Sequence, residues 1–134
     1  MEQLRRQLQD PPFNRWLSPV AVNVDEAARE LVVSLPFRPE FSYHPERSVF
    51  HGGVIASLVD LTAYAAVAIW HGGATPTITL QIDYLAPAIG HELVARGLLR
   101  KLGRSISRAD VEVALDGKLV ALGRGTFSTG ETRT

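Results

Sequence analysis

The sequence predicts an α+β fold in which one curved antiparallel β-sheet wraps around a single long central helix. Three observations carry that expectation. A stretch from Val54 to Trp70 holds no Gly or Pro and is apolar around most of a helical circumference. Two β-like runs precede it and four follow in unbroken succession. The 134 residues fit one domain, since soluble domains cluster at roughly 100–150 residues.

Taken in order, Glu2 to Gln9 sets Leu4 and Leu8 four apart, the spacing of a short amphipathic helix. Pro11-Pro12 is expected to end it, and residues 1–17 form a helical lead. Runs Val20–Val24 and Leu31–Leu35 follow, joined by the acidic turn Asp25-Glu26. Residues 36–50 read as a loop rich in Pro, Arg and aromatic side chains. That is long for a compact domain, and long loops are often functional. The Val54–Trp70 run, VIASLVDLTAYAAVAIW, makes a helix about 25 Å long, buried on most sides. It falls short of the roughly 18 residues of a spanning helix and carries Asp60 near its middle, so no membrane span is expected.

Gly72-Gly73 suits a helix C-terminus. Thr75–Leu85 then alternates Ile78, Leu80, Ile82 and Tyr84 against Thr77, Thr79, Gln81 and Asp83, a period of two. Glu92–Lys101 and Ser105–Leu115 are further strands. Asp116-Gly117 is a hairpin signal leading into Leu119–Phe127, and 129–134 is a polar tail. A sheet curling about one helix explains a helix apolar on so many faces. Strands in sequence with the helix segregated to one face are the hotdog arrangement.

Composition narrows the function. The absence of cysteine excludes disulfides, thiolate metal ligands and a cysteine nucleophile. Fourteen basic and fourteen acidic side chains give a net charge of zero, which argues against a nucleic-acid partner. Residues 1–10 are charged and lack the apolar core of a secretory signal, so a cytoplasmic location is expected. The histidines at 44, 51, 71 and 91 show no metal-ligand spacing, so no metal and no cofactor are expected. Gly103-Arg104-Ser105-Ile106-Ser107 lacks the second glycine of a nucleophile elbow, and Gly123-x-Gly125 precedes no helix.

Asp60 is the only formally charged residue of the apolar helix. An unpaired carboxylate there is costly unless it has a partner or a task. A structural Asp bonded to a neighbouring strand or a subunit boundary is the alternative to a functional one. His51-Gly52-Gly53 immediately precedes the helix, where unpaired N–H groups and the positive dipole end suit a developing oxyanion. The same tripeptide at His71-Gly72-Gly73 is better read as a C-cap.

Together, His51-Gly52-Gly53 and Asp60 resemble the signature of hotdog acyl-CoA thioesterases of the phenylacetate-pathway type. There an H-G-G opens the central helix and the acid lies nine positions after the histidine, as it does here. The likeness begins at Pro12-Phe13-Asn14-Arg15-Trp16-Leu17 and runs through His51–Ala66. It includes Tyr84-Leu85-Ala86-Pro87-Ala88 and Gly103-Arg104-Ser105. It implies an acyl-CoA substrate, aryl or medium-chain, and a homodimer or homotetramer whose sheets join and whose sites are built across the interface. It also implies Asp60 as general base or nucleophile and the Gly52 N–H as oxyanion donor. His51 would shape the site, with Thr77 beside the carboxylate or its water. Arg100, Gly103, Arg104 and Ser105 match the contacts to the coenzyme A moiety, although a solvated hairpin end explains the same charges. One position departs: where many relatives carry Asn, this chain has Pro45, which offers neither a side-chain amide nor an N–H. His44 and Ser48 are the polar neighbours that remain. A non-catalytic acyl-CoA or lipid-binding module on the same fold is the alternative from another class, and a dehydratase using His51 is a third.

Overall fold

Strands form where β-branched and apolar side chains alternate with polar ones, and the chain offers six such runs. In the computed structural model, which describes residues 1–130, they are β1 (Val20–Asp25), β2 (Glu30–Pro36), β3 (Thr77–Tyr84), β4 (Glu92–Lys101), β5 (Ile106–Leu115) and β6 (Lys118–Ser128). They pair antiparallel in one sheet of order β1-β2-β4-β5-β6-β3. The hairpin between β5 and β6 turns at Asp116 and Gly117, both at positive φ (51° and 76°), as a two-residue type I′ loop requires. Of the polar tail expected over 129–134, residues 131–134 lie outside the described residues.

The sheet curls around helix α3 (Gly52–His71), which packs on β2, β3, β4, β5 and β6. The helix is longer at both ends than its apolar run. His51 caps it with its side chain, so Gly52 and Gly53 become its first turn. Gly72 closes it in the left-handed conformation (φ 85°) with its N–H donating to the Ala68 carbonyl at 2.8 Å. At 20 residues, α3 now has the length and hydropathy of a membrane-crossing helix, so length no longer argues against a span. Burial does: ten of its residues, from Ile55 to Ala68, are packed inside the fold.

The N-terminal lead corrects one expectation. Helix α1 (Glu2–Gln9) buries Leu4 and Leu8, but Pro11-Pro12 does not simply end a helix. It starts another, α2 (Pro12–Leu17), with Pro12 in the first turn, where its missing N–H costs nothing. The Trp16 ring of α2 meets Phe41, in a short 3₁₀ turn at Pro39–Phe41, edge to face with centroids 5.8 Å apart, and the Arg38 guanidinium lies over both rings, 4.8 and 4.3 Å away. The long loop is therefore pinned to α2 by an edge-to-face ring pair with a cation over both rings.

Candidate active site

The first turn of α3 leaves N–H groups with no helical acceptor, and the way this chain disposes of them defines one end of the site. The Gly53 N–H donates to His51 Nδ1 at 2.8 Å, and the Val54 and Ile55 N–H groups share the His51 carbonyl at 3.0 and 3.2 Å. Among the described residues that leaves the Gly52 N–H as the first-turn donor without an acceptor in the chain. His51 is thus a cap whose Nδ1 is already occupied. The Tyr84 hydroxyl donates to the Gly52 carbonyl at 2.8 Å, so the Gly52–Gly53 peptide is held at both its C=O and its N–H. Beside it opens a groove of about 380 Å³, lined by Phe50, Gly52, Ile55, Tyr84, Leu85 and Pro87 among others, with mostly apolar side chains and the Tyr84 hydroxyl and backbone groups as its polar part.

The other end of the site is Asp60. It is half-buried, on the flank of α3 that faces away from the sheet's centre, and its Oδ1 accepts from Thr77 Oγ1 at 2.9 Å. That contact contradicts the plain alternation of β3, in which Thr77 and Tyr84 lie an odd seven residues apart and should face opposite ways. A β-bulge resolves the conflict. Thr77 pairs with Phe127 and Thr79 with Thr126, so Ile78 is an extra residue without a partner of its own. Its insertion flips the alternation, and Thr77 joins Leu80, Ile82 and Tyr84 on the face toward α3. Among the described residues, the second carboxylate oxygen of Asp60 has no hydrogen-bond donor.

The remaining candidates do not gather at this place within one chain. The Arg100 Nε donates to Asp110 Oδ2 at 2.8 Å on the sheet's outer face, where Arg124 Nε reaches Asp110 Oδ1 at 2.7 Å. Those two guanidiniums hold the Asp110 carboxyl below its ordinary range, Arg124 contributing most and partial burial opposing it. Gly103, Arg104 and Ser105 form the β4–β5 turn. This turn is tied to Thr129, whose hydroxyl donates to the Gly103 carbonyl at 2.7 Å and whose N–H reaches the Ser105 carbonyl at 2.9 Å. The Thr129 carbonyl in turn lies 3.2 Å from His71 Nε2, at the C-terminal end of α3. A 20-residue helix is about 30 Å long, so this turn and the Gly52 N–H lie at opposite ends of one chain. Pro45 is exposed on a loop folded around Ser42 Oγ, and His44 Nδ1 is taken by the Glu46 N–H at 3.0 Å.

Reading the sequence alone missed the Tyr84 hydroxyl. The available signal was its register: in phase with Leu80 and Ile82, it had to face α3.

A curved antiparallel sheet wrapped around one long central helix is the fold of the hotdog thioesterases. The comparisons agree. The thioesterase superfamily matches residues 48–121, and the chain belongs to that family. A crystal structure of another thioesterase-superfamily protein is 34% identical with a TM-score of 0.87, covering 95% of this chain and 96% of that one. A phenylacetic acid degradation-related protein from Ralstonia eutropha is 26% identical with a TM-score of 0.81, over 94% of this chain and 98% of that one. The medium/long-chain acyl-CoA thioesterase YigI of Salmonella typhimurium is 27% identical over 135 aligned positions, 89% of this chain and 86% of that protein.

Proposed function

We propose that this protein hydrolyses the thioester of an aryl- or medium-chain acyl-CoA in a site shared by two copies of the chain. The observation that carries this reading is a spacing. Gly52 and Asp60 are eight residues apart on one helix, about 12 Å along its axis. A single carbonyl carbon cannot reach both. Two α3 helices lying antiparallel across a two-fold axis would set Asp60 of one chain against the Gly52 N–H of the other. The same arrangement would bring the basic Gly103–Ser105 turn of one chain toward the partner's helix start. Strand β3 is a sheet edge and carries exposed Ile78 and Tyr84, so its unpaired backbone supplies the surface for such a dimer.

In this site the Gly52 N–H receives the carbonyl oxygen as its charge develops. Asp60, oriented by Thr77, takes a proton from water, whose oxygen attacks the carbonyl carbon. The C–S bond then breaks and the thiolate of coenzyme A leaves, giving free acid. Direct attack by the carboxylate, with water cleaving the resulting anhydride, balances equally well. The acyl chain fits the apolar groove, and the Arg104 turn meets the nucleotide end.

A pair of variants tests the shared site. His51 has ψ 140°, which a following proline accepts, and Gly52 is the first helical residue. Gly52→Pro therefore removes the donor while the helix survives. Asp60→Asn removes the charge. Each variant alone is expected to lose activity by about 10²-fold or more. Unfolded together and refolded, they form mixed dimers in which one of the two sites is intact, restoring about a quarter of wild-type thiol release. No recovery would place both groups in one chain's site. Binding of acyl-CoA with no turnover by the wild type would make the protein a binding module.

A further inference from the structure

We infer that Tyr84 is a positioning residue for the oxyanion donor, acting through the Gly52 peptide. This rests on the reading just given for Gly52 and extends it to a side chain that reading did not require. Glycine at the first helical position has the widest backbone freedom of any residue, and here two follow in succession. A donor must be aimed before the reaction begins, because reorganisation during it forfeits most of the electrostatic gain. The donor's own peptide is held at the His51 carbonyl by the Val54 and Ile55 N–H groups, and two contacts hold the peptide that follows it, so Gly52 is fixed between two held peptides. His51 Nδ1 holds the Gly53 N–H, and the Tyr84 hydroxyl holds the Gly52 carbonyl at 2.8 Å.

The placement of the ring supports a role beyond packing. Tyr84 ends β3 and is largely exposed within one chain, so the contact that orients its hydroxyl inside the chain is the hydrogen bond to Gly52. Its ring lies against Gly52, and a Cβ added there would sit 3.6 Å from the ring and from the hydroxyl oxygen. The same strand fixes Asp60 through Thr77 at its other end. An edge strand thus orients the donor of one shared site and the carboxylate of the other with one hydroxyl each, and the Ile78 bulge allows both hydroxyls to face the helix.

The test is Tyr84→Phe, which keeps the ring and deletes the hydroxyl, read in two ways on the same protein. Nuclear relaxation of the Gly52 amide should fall from a rigid order parameter of about 0.85 to below about 0.7. Turnover of acyl-CoA should drop about tenfold in kcat with KM held, the mark of an interaction made in the transition state alone. The thermal midpoint should stay in place. An equally rigid Gly52 amide, or an unchanged kcat, overturns the proposal, and a rise in KM alone reassigns Tyr84 to substrate binding. Were the wild type to hydrolyse no acyl-CoA, the thioesterase reading would fail, while the amide measurement would still decide whether Tyr84 orders this turn.

Discussion

At the scale of single residues, Asp60 is a carboxylate with one partner. Its Oδ1 is occupied by Thr77 and its flank of α3 is half-exposed, so Asp60→Asn keeps the Thr77 contact and removes only charge. The expected outcome is a thermal midpoint held or raised together with acyl-CoA hydrolysis reduced by about 10² to 10⁴, both read on one preparation. Retained hydrolysis would make the residue structural. The sequence exposed Asp60 as a lone charge in an apolar run and His51-Gly52-Gly53 as a permissive helix start. It did not expose the Tyr84 contact, because a hydroxyl on one strand meeting a carbonyl 32 positions away depends on how the sheet curls. Nor did it show that Arg100 spends its guanidinium on Asp110, a pairing made across two strands.

At the scale of elements, α3 and the sheet meet so closely that β6 must offer backbone instead of side chains. A Cβ at Gly123 would lie 2.3 Å from Val59 Cγ1, well inside contact. Gly123→Ala is therefore expected to destabilise by about 1–3 kcal/mol through overpacking. Val59→Ala in the same chain should recover part of that loss, giving a coupling that chemical denaturation of the four proteins in a double-mutant cycle would measure. The helix and all six strands were legible in the sequence, with boundaries shifting by at most two residues. Two features were not legible. The second N-terminal helix hid behind Pro11-Pro12, since the same pair stops one helix or opens the next. The bulge hid because alternation in β3 reads as perfect on paper, and only the pairing with β6 shows that Ile78 is surplus.

Across the whole molecule, the outer face of the sheet carries the charges that the core excludes. Arg96 bridges Glu30 and Glu112 across β2, β4 and β5, and Asp110 bridges Arg100 and Arg124 across β4, β5 and β6. The first set is exposed and contributes little. Asp110 is the better shielded, and its carboxyl is held below the ordinary range chiefly by Arg124. A group whose folded value is depressed adds stability above its unfolded value, about pH 4, and loses it as acid protonates the folded chain. Asp110→Asn should therefore lower the thermal midpoint by about 2–5 °C at pH 7. That gap should close as the pH falls below about 4. A gap that does not narrow as acid is added below that point would assign the effect to packing. At this scale the sequence was least informative: net neutrality is plain from a count, but which charges share a face follows only from register.

The Ile78 bulge also determines where this fold can gain or lose a residue. From His51 to Asp60 the chain is counted along a helix, so one inserted residue swings the carboxylate by about 100° and carries it into the core. From Asp60 to Thr77 the count passes through the turn at residues 72–76, with the unpaired Ile78 just beyond it, so a residue gained or lost in that turn can be absorbed and the threonine still presented to the acid. The first interval is a rigid ruler and the second has slack. Homologues that keep the chemistry must therefore hold the interval of nine, while the interval from acid to hydroxyl is free to drift. A search that fixes both will lose kin that a search fixing only the first will find.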